Sequence, residues 1–474
     1  MQICETRNNT LTEKTKNKNL SNEIYFVLVM INLVIAILPT IVSIKSNLYV
    51  IFVLFFVLFT SLFLTAQQMF QFVLFMLPFR IIGQFIYFQN FEYCSWIVYS
   101  LLFSLGIKYI SDILTKRHKI NWTIILLNII FLLYGFLNLN LENGKLLISH
   151  LILILSFYLI FEYKSKFDLK ELTFSLFIGI LTSIILSLIV SLKYNIGDES
   201  YNWTIDGRFQ ALATNPNSLQ LFCVFTISMF MMLYFNSRLS KKSFLLYSGI
   251  LFAIGILTMS KTFFICILFL IIIYFIFSFI KSKQSFVKDL VVSLVILALL
   301  CIVFKDKMVQ LFERFVDYGE NYNLIDKMTT GRYSLWTKYF ALINQSVFTI
   351  LFGLGATTNF LDLYVGSNPH NDYIAIIYKY GYVGLIFLVL LFMNYVVRLI
   401  KVSNYTKTKI KIDKVYKAIP LFVIMLIQMV EVIIFSPTFR LMIIVAMLCL
   451  YNDTGVSKND VSIFNLLTKG KEKL

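Results

Sequence analysis

Residues 263–279 read FFICILFLIIIYFIFSF and contain no charged side chain. A helix of about 20 apolar residues crosses the roughly 30 Å hydrocarbon layer of a bilayer. With its apolar flanks this run has nearly that length, so it predicts a transmembrane helix. Residues 51–63 form a second unbroken apolar run. Transmembrane β-barrels instead show segments of about 10 residues that alternate apolar and polar side chains. These continuous apolar runs do not alternate, so the sequence excludes a transmembrane β-barrel.

The whole chain of 474 residues has the composition of a polytopic membrane protein. It is 59% hydrophobic and 14% charged, with a mean hydropathy of +0.80, whereas soluble domains carry roughly 25% charged residues. We therefore predict an all-α integral membrane bundle of about 12–14 transmembrane helices. The predicted spans cover residues 24–44, 48–65, 69–88, 93–110, 122–140, 146–161, 172–192, 217–235, 243–259, 262–280, 289–304, 374–397, 418–436 and 439–451.

The positions of the basic residues predict the orientation of the bundle. The chain carries 42 lysines and arginines against 25 acidic residues, for a net charge of +17. Most of them fall in segments that are cytoplasmic if both termini are inside, such as 236–242, 281–288 and 398–417. This is the positive-inside pattern, so the charge indicates a lipid bilayer and no nucleic-acid partner. Residues 1–23 and 452–474 are predicted cytoplasmic tails.

Two polar segments on the predicted outer face, residues 193–216 and 305–371, separate groups of transmembrane helices. N-terminal transmembrane helices fill residues 24–192, and C-terminal ones fill 401–451. Between them, residues 193–400 hold the polar outer segments, and the longest of these is the loop 305–371. A loop of this length is usually functional or disordered.

The loop carries apolar residues at helical spacing, which argues against disorder. Residues 308–316 and 335–343 each predict an amphipathic helix that lies at the membrane interface. Trp336, in the second of these, is a residue suited to that depth.

Several common catalytic motifs are absent from the sequence. There is no GxxxxGK[ST] phosphate loop, no DxD pair and no HExxH motif, and the chain has only three histidines. These absences predict no metal site and no cofactor. Any catalysis is therefore expected to use a donor that is already activated.

His370 is the only histidine on the predicted outer face. Pro369 and Asp372 around it are typical of a helix N-terminus, which would place His370 and Asn371 at the membrane surface. A neutral imidazole there could accept a proton from a hydroxyl group. The alternative is that His370 is an interfacial capping residue.

Four basic residues are candidates for binding a negatively charged group. Arg332 starts a predicted helix and could bind a phosphate with both arms of its guanidinium, or else a lipid headgroup. Arg208 precedes an Asn-Pro-Asn helix cap, and Lys261 marks a tight outer turn. Arg80 lies within a predicted span, where it faces a cavity or partner, or else extends to the interface.

One acidic residue is placed unusually deep. Glu431 lies within the predicted span 418–436. Ionisable groups at such depth are costly, so Glu431 either pairs with an arginine or is protonated in an apolar setting.

The order of these residues resembles the O-antigen ligase/polymerase superfamily of membrane glycosyltransferases. That family shows an outer arginine with a following Pro-Asn, a Ser-Arg or Ser-Lys turn, and a large outer loop. The loop opens with Gly-Arg and a nearby tryptophan, passes a Gly-x-Gly and ends in His-Asn, with an aromatic residue and a Gly-x-x-Gly downstream. The corresponding residues are Arg208, Pro216-Asn217, Ser260-Lys261, Gly331-Arg332, Trp336, Gly353-x-Gly355, His370-Asn371, Tyr373 and Gly381-x-x-Gly384.

This resemblance covers roughly residues 200–400, and it implies a GT-C-like fold and an activity. The family acts on an oligosaccharide that is linked to an isoprenoid carrier through a diphosphate. The resemblance implies that His370 accepts or orients the proton of the acceptor hydroxyl group. The resemblance implies a substrate-binding role for Arg208, Arg332, Lys261, Asn371 and Tyr373, while Arg80 is an outside candidate for the same role that lies beyond the matching region. Lys261 departs from the arginine of many relatives, which keeps the charge but loses bidentate geometry.

Three functions remain open from the sequence. The first is a metal-independent, inverting polymerase of lipid-linked repeat units for a capsule, exopolysaccharide or O-antigen, at the outer face of a bacterial cytoplasmic membrane. Its donor and acceptor would both be isoprenoid-diphosphate-linked oligosaccharides, and a chain-length regulator and a flippase are candidate partners. The second is a ligase of the same superfamily. The third is a lipid-linked-oligosaccharide flippase or other transporter, which would usually show repeated halves.

Overall fold

The structure is a computed structural model, and it describes residues 23–35, 47–79, 93–115, 155–194, 203–204, 207–213, 215–281, 331–355, 368–404 and 413–450, with isolated positions between them. Arg80, most of the predicted spans 122–140 and 289–304, most of the loop 305–371 and nearly all of the two predicted tails lie outside the described residues. Within these ranges the backbone forms helices and turns, and a single β-bridge joins Trp203 to Phe209.

The described helices are numbered here in chain order. They are α1 (Glu23–Ile35), α2 (Asn47–Phe63), α3 (Ala66–Met76), α4 (Tyr93–Leu114), α5 (155–162), α6 (Leu169–Tyr194), α7 (Pro216–Phe235), α8 (Lys241–Leu257), α9 (Lys261–Lys281), α10 (Arg332–Ile343), α11 (Val347–Phe352), α12 (Asp372–Asn404), α13 (Asp413–Lys417), α14 (Ile419–Gln428) and α15 (Pro437–Leu448).

The chain is a helical membrane protein. Among the described residues, five helices are long and apolar enough to cross a bilayer. They are Ser95–Leu114, Leu169–Ser191, Pro216–Phe235, Lys261–Ile280 and Asp372–Leu390. The predicted spans 172–192, 217–235, 243–259 and 262–280 agree with α6 to α9 to within a few residues.

Helix α7 is the centre of the bundle. It packs against α6, α8, α9 and α14, and nearly every side chain along it is buried. A helix that is apolar on all sides is expected either in a protein core or against lipid. Helix α9 shows the second case, because Ile265, Leu268, Ile272 and Ile276 are exposed along one face of it.

The prediction of one continuous span at 418–436 is wrong. Helix α14 ends at Gln428 and α15 begins at Pro437, so residues 429–436 form a helix break. Proline fits the first turn of a helix, where its missing N–H is not needed, and it favours a new start there. The break is as apolar as its flanking helices, so hydropathy does not detect it. Helix α3 likewise ends at Met76, before Pro78, and does not continue through the predicted span 69–88 as one helix.

A second interruption lies inside α12. Gly381 leaves the helical conformation with φ 65° and ψ −175°. The carbonyls of Tyr378 and Lys379 accept hydrogen bonds from the backbone N–H groups of Leu354 and Gly355, at 2.8 and 3.0 Å. The Gly-x-Gly after α11 therefore supplies the donors that the interrupted helix lacks.

Gly381→Ala is expected to destabilise the protein strongly. A Cβ at this position would lie 2.2 Å from the carbonyl oxygen of Leu351, and the backbone is left-handed. The strained conformation alone costs about 1–3 kcal/mol for a residue with a side chain. The thermal midpoint in lipid nanodiscs should fall clearly.

The matched control is Gly249→Ala, because a Cβ on Gly249 in α8 would meet nothing within 4 Å. Alanine stabilises a helix interior by up to about 1 kcal/mol relative to glycine. The midpoint of this control should stay or rise. Equal midpoints for the two variants would contradict the interlocking turns.

Candidate active site at a helix break

The predicted helix N-terminus around His370 is confirmed. Helix α12 begins at Asp372, and the Oδ1 atom of Asn371 accepts the backbone N–H groups of Tyr373 and Ile374 at 2.9 and 3.1 Å. His370 precedes this cap in the left-handed region, with φ 47°. Its backbone N–H donates to Oδ1 of Asn368 at 2.6 Å. A left-handed backbone is uncommon outside glycine and is often found at functional sites.

Glu431 lies in the helix break and binds three side chains from other segments. Its Oε2 atom is 3.3 Å from Nδ1 of His370. Its Oε1 atom is 3.2 Å from Nη2 of Arg332 and accepts Nδ2–H of Asn217 at 3.4 Å. The carboxylate therefore joins α7, α10 and the start of α12.

Arg208 joins this cluster through Asn217. Its Nη2 donates to Oδ1 of Asn217 at 2.6 Å, and its Nε donates to the carbonyl of Thr258 at 2.9 Å. The backbone N–H of Thr204 donates to the carbonyl of Arg208 at 2.9 Å, and the N–H of Gly207 donates to the carbonyl of Thr204 at 2.8 Å. Together with the bond to Thr258, these contacts hold the guanidinium against the end of α8.

Arg332 is fixed by the start of its own helix. Gly331 has φ 75°, and its N–H donates to the carbonyl of Asp326 at 2.8 Å. The Asp326 carboxylate accepts the backbone N–H of Ser334 at 2.8 Å and also the Ser334 hydroxyl. With α10 fixed in this way, Nη1 of Arg332 donates to the carbonyl of Val430 in the break.

Trp336 supports the histidine turn. Its indole N–H donates to the carbonyl of Pro369 at 2.7 Å, and its ring packs on the cluster formed by Tyr339, Ile374 and Tyr378. Trp336, which was predicted to lie at the membrane interface, therefore contacts Pro369, the residue before His370.

The remaining predicted site residues with described positions are Lys261, Tyr373 and Asn371. Lys261 begins α9 three residues after Thr258, and its ammonium nitrogen is buried. Tyr373 donates its backbone N–H to the Asn371 cap, while its hydroxyl makes no hydrogen bond to another described residue. Asn371 also donates Nδ2–H to the carbonyl of Met429 at 3.0 Å.

The centre of the cluster is a residue that the sequence flagged without assigning it to the site. Glu431 was expected either to pair with an arginine or to be protonated, and Arg332 is the partner that it finds. The sequence signal was its position within an apolar stretch, since ionisable residues in such stretches are commonly functional. Asn217 carried no such signal, because it also reads as part of a helix cap.

The geometry suits proton transfer by His370. When the Glu431 carboxylate accepts the Nδ1–H of His370, Nε2 is left unprotonated and can act as a base. The side chains of His370, Arg332 and Glu431 are 35%, 20% and 14% exposed, so the histidine is the most accessible of the three. Among the described residues, no group of three His, Cys, Asp or Glu side chains is arranged to hold a metal ion.

No protein-family model and no curated protein matches the chain. The chemistry of this cluster and the order of its residues in the sequence are therefore the features that indicate a function.

Proposed function

We propose that the protein is a polymerase of lipid-linked oligosaccharide repeat units. It would transfer a glycan from an isoprenoid-diphosphate carrier to a sugar hydroxyl of another lipid-linked repeat. The site would lie on the outer face of a bacterial cytoplasmic membrane, in a GT-C-like bundle whose outer loop is 305–371. The observation that carries the proposal is the convergence of Arg208, Arg332 and His370 around Glu431. These three are residues that the resemblance to the O-antigen ligase/polymerase superfamily singles out.

In the proposed reaction, the basic residues bind the diphosphate of the donor. Arg332 and Arg208 would contact its oxygens, and Lys261 would assist them. The acceptor oxygen attacks the anomeric carbon opposite the diphosphate, and the bond from that carbon to the diphosphate oxygen breaks. The bonding electrons leave with the diphosphate, where fixed cations stabilise the developing charge better than water does. Attack from the opposite side predicts inversion at the anomeric carbon.

The acceptor proton would go to Nε2 of His370. Glu431 holds the opposite ring nitrogen at 3.3 Å, so it would fix the tautomer and stabilise the imidazolium that forms, as carboxylates do in Ser-His-Asp triads. No nucleotide or metal is needed in this scheme, because the leaving group is already activated.

A ligase would use the same chemistry with a different acceptor, so the site does not separate the two. A transporter is a second candidate, and one observation favours it. Substrate sites of transporters are often built on discontinuous helices, and both the 429–436 break and the interruption of α12 at Gly381 have that character.

Deletion of the gene in its host separates these functions. We expect single lipid-linked repeat units to accumulate on the outer leaflet, where an added glycosidase digests them. Wild type should restore long glycans, and His370→Ala should not. Accumulation of long lipid-linked chains would indicate a ligase. Single units protected on the inner leaflet would indicate a flippase.

A further inference from the structure

Asp372 is a buried acid at the start of α12 that contacts the helix break. Its side chain is 0% exposed. Its Oδ1 atom accepts the backbone N–H groups of Ile433 and Ile434 at 3.0 and 3.1 Å, and its Oδ2 atom accepts that of Ile434 at 3.1 Å. The Gln428 side chain, at the last residue of α14, is a further hydrogen-bond partner.

Arg440 is a buried base in α15 that contacts the same segment from its other side. It is 1% exposed. Its Nε donates to the carbonyl of Ile434 at 3.0 Å, and its Nη2 donates to the carbonyl of Phe435 at 3.3 Å. The peptide groups around Ile434 therefore bond an acid through the N–H side and a base through the C=O side.

Side-chain packing alone does not explain why a charged residue occupies each of these two buried positions. Burying a charged side chain away from water is costly unless it is paired or hydrogen-bonded. A helix break in a membrane protein needs partners for its backbone groups, since lipid offers none. Asp372 and Arg440 satisfy that need, and in doing so they fix where the break lies.

The position of the break determines the position of Glu431, which lies two residues before Ile433. Glu431 contacts His370, Arg332 and Asn217 at 3.3, 3.2 and 3.4 Å. These distances are close to the outer limit of a hydrogen bond, so a displacement of about 1 Å would separate them.

We propose that Asp372 and Arg440 are positioning residues that hold Glu431 against His370 and so set the protonation of the catalytic ring. The role in catalysis rests on the proposed function, whereas the effect on His370 does not. Neither residue needs to touch the substrate. Both act through the backbone of residues 433–435.

The test uses the ring nitrogens of His370 as the reporter. The chain has three histidines, so His118→Gln and His150→Gln leave His370 alone in the full-length protein. ¹⁵N-histidine NMR in lipid nanodiscs then reports which ring nitrogen of the neutral imidazole is protonated. The background protein is expected to show protonated Nδ1, and Glu431→Ala should lose this preference.

Asp372→Ala and Arg440→Met are expected to give the Glu431→Ala spectrum. Asp372→Asn keeps an acceptor and Arg440→Lys keeps a donor, so both should show a spectrum between the background and Glu431→Ala patterns, which can be measured if the harsher variants do not fold. The matched control is Phe439→Leu, which weakens the packing of α15 on Phe222 of α7 and leaves the side chains of Asp372 and Arg440 unchanged. It should leave the ring unchanged.

Two results would overturn the proposal. One is a background spectrum in folded Asp372→Ala and Arg440→Met proteins or, where these do not fold, a background spectrum in both conservative variants. The other is the same change in Phe439→Leu, since any destabilisation would then produce it. In a polymerisation assay the harsher variants should lose about 10²-fold in rate. If wild type makes no polymer while the NMR pattern holds, the proposed function fails and the positioning role stands.

Discussion

His370→Ala is expected to slow glycan extension by about 10²–10⁴-fold, the contribution of a positioned general base. The ring precedes the cap of α12 in a left-handed conformation and is oriented by Glu431 through Nδ1. Alanine removes the proposed proton acceptor and leaves in place the arginines that are proposed to bind the diphosphate. Donor binding should therefore change little, and the loss should fall on the turnover number.

A histidine elsewhere in the chain provides the control for this variant. His118 belongs to a predicted cytoplasmic segment, so His118→Ala should keep full activity. Glycan extension is measured with purified protein in nanodiscs and quantified by chain length and initial rate. A tenfold or smaller loss for His370→Ala, with the protein folded, would exclude His370 as the base.

Removing one member of the Arg332–Glu431 pair is expected to cost more stability than removing both. The two side chains are only 20% and 14% exposed. Breaking a fully buried ion pair typically costs about 3–5 kcal/mol because the remaining charge stays unpaired, whereas replacing both partners can be nearly neutral. A smaller loss is expected here, because the pair is only partly buried and Glu431 keeps His370 and Asn217 as partners. Both Arg332→Met and Glu431→Leu should lower the thermal midpoint, and the double variant should recover part of the loss.

A double-mutant cycle measures this coupling directly. We expect a coupling free energy of about 0.5–3 kcal/mol between the two positions. The control pair is Arg332 with Lys338, which lies in the same helix and has no place in the cluster, and its effects should add. Additive effects for Arg332 and Glu431 would mean that the contact contributes nothing to the folded state.

The bundle helices could be predicted because hydropathy is a local property of the sequence. Helices α6 to α9 lie where apolar runs of spanning length occur. The break at 429–436 could not be found in this way, because its residues are as apolar as a spanning helix. The break is stabilised by hydrogen bonds from residues remote in sequence. Asn371 donates to the carbonyl of Met429, and Arg332 donates to the carbonyl of Val430.

Only part of the candidate site was predictable from the sequence. The motif order singled out Arg208, Arg332 and His370, and local cap signals indicated the start of α12, but neither Glu431 nor the linking role of Asn217 was assigned to the site. The sequence could not show that Glu431 joins them, since that contact spans 61 positions to His370 and 99 to Arg332. Arg80 stays a prediction outside the described residues. Lys261 is described at the start of α9, and its role in substrate binding stays a prediction.

The most direct test of the central claim is extension of a lipid-diphosphate oligosaccharide by purified protein, without added nucleotide or metal. Wild type is expected to give a ladder of products that differ by one repeat unit. The ladder should vanish in folded His370→Ala and Arg332→Ala proteins and persist in His118→Ala. A ladder of unchanged length and rate in both site variants would contradict the assignment of the Glu431 cluster as the active site.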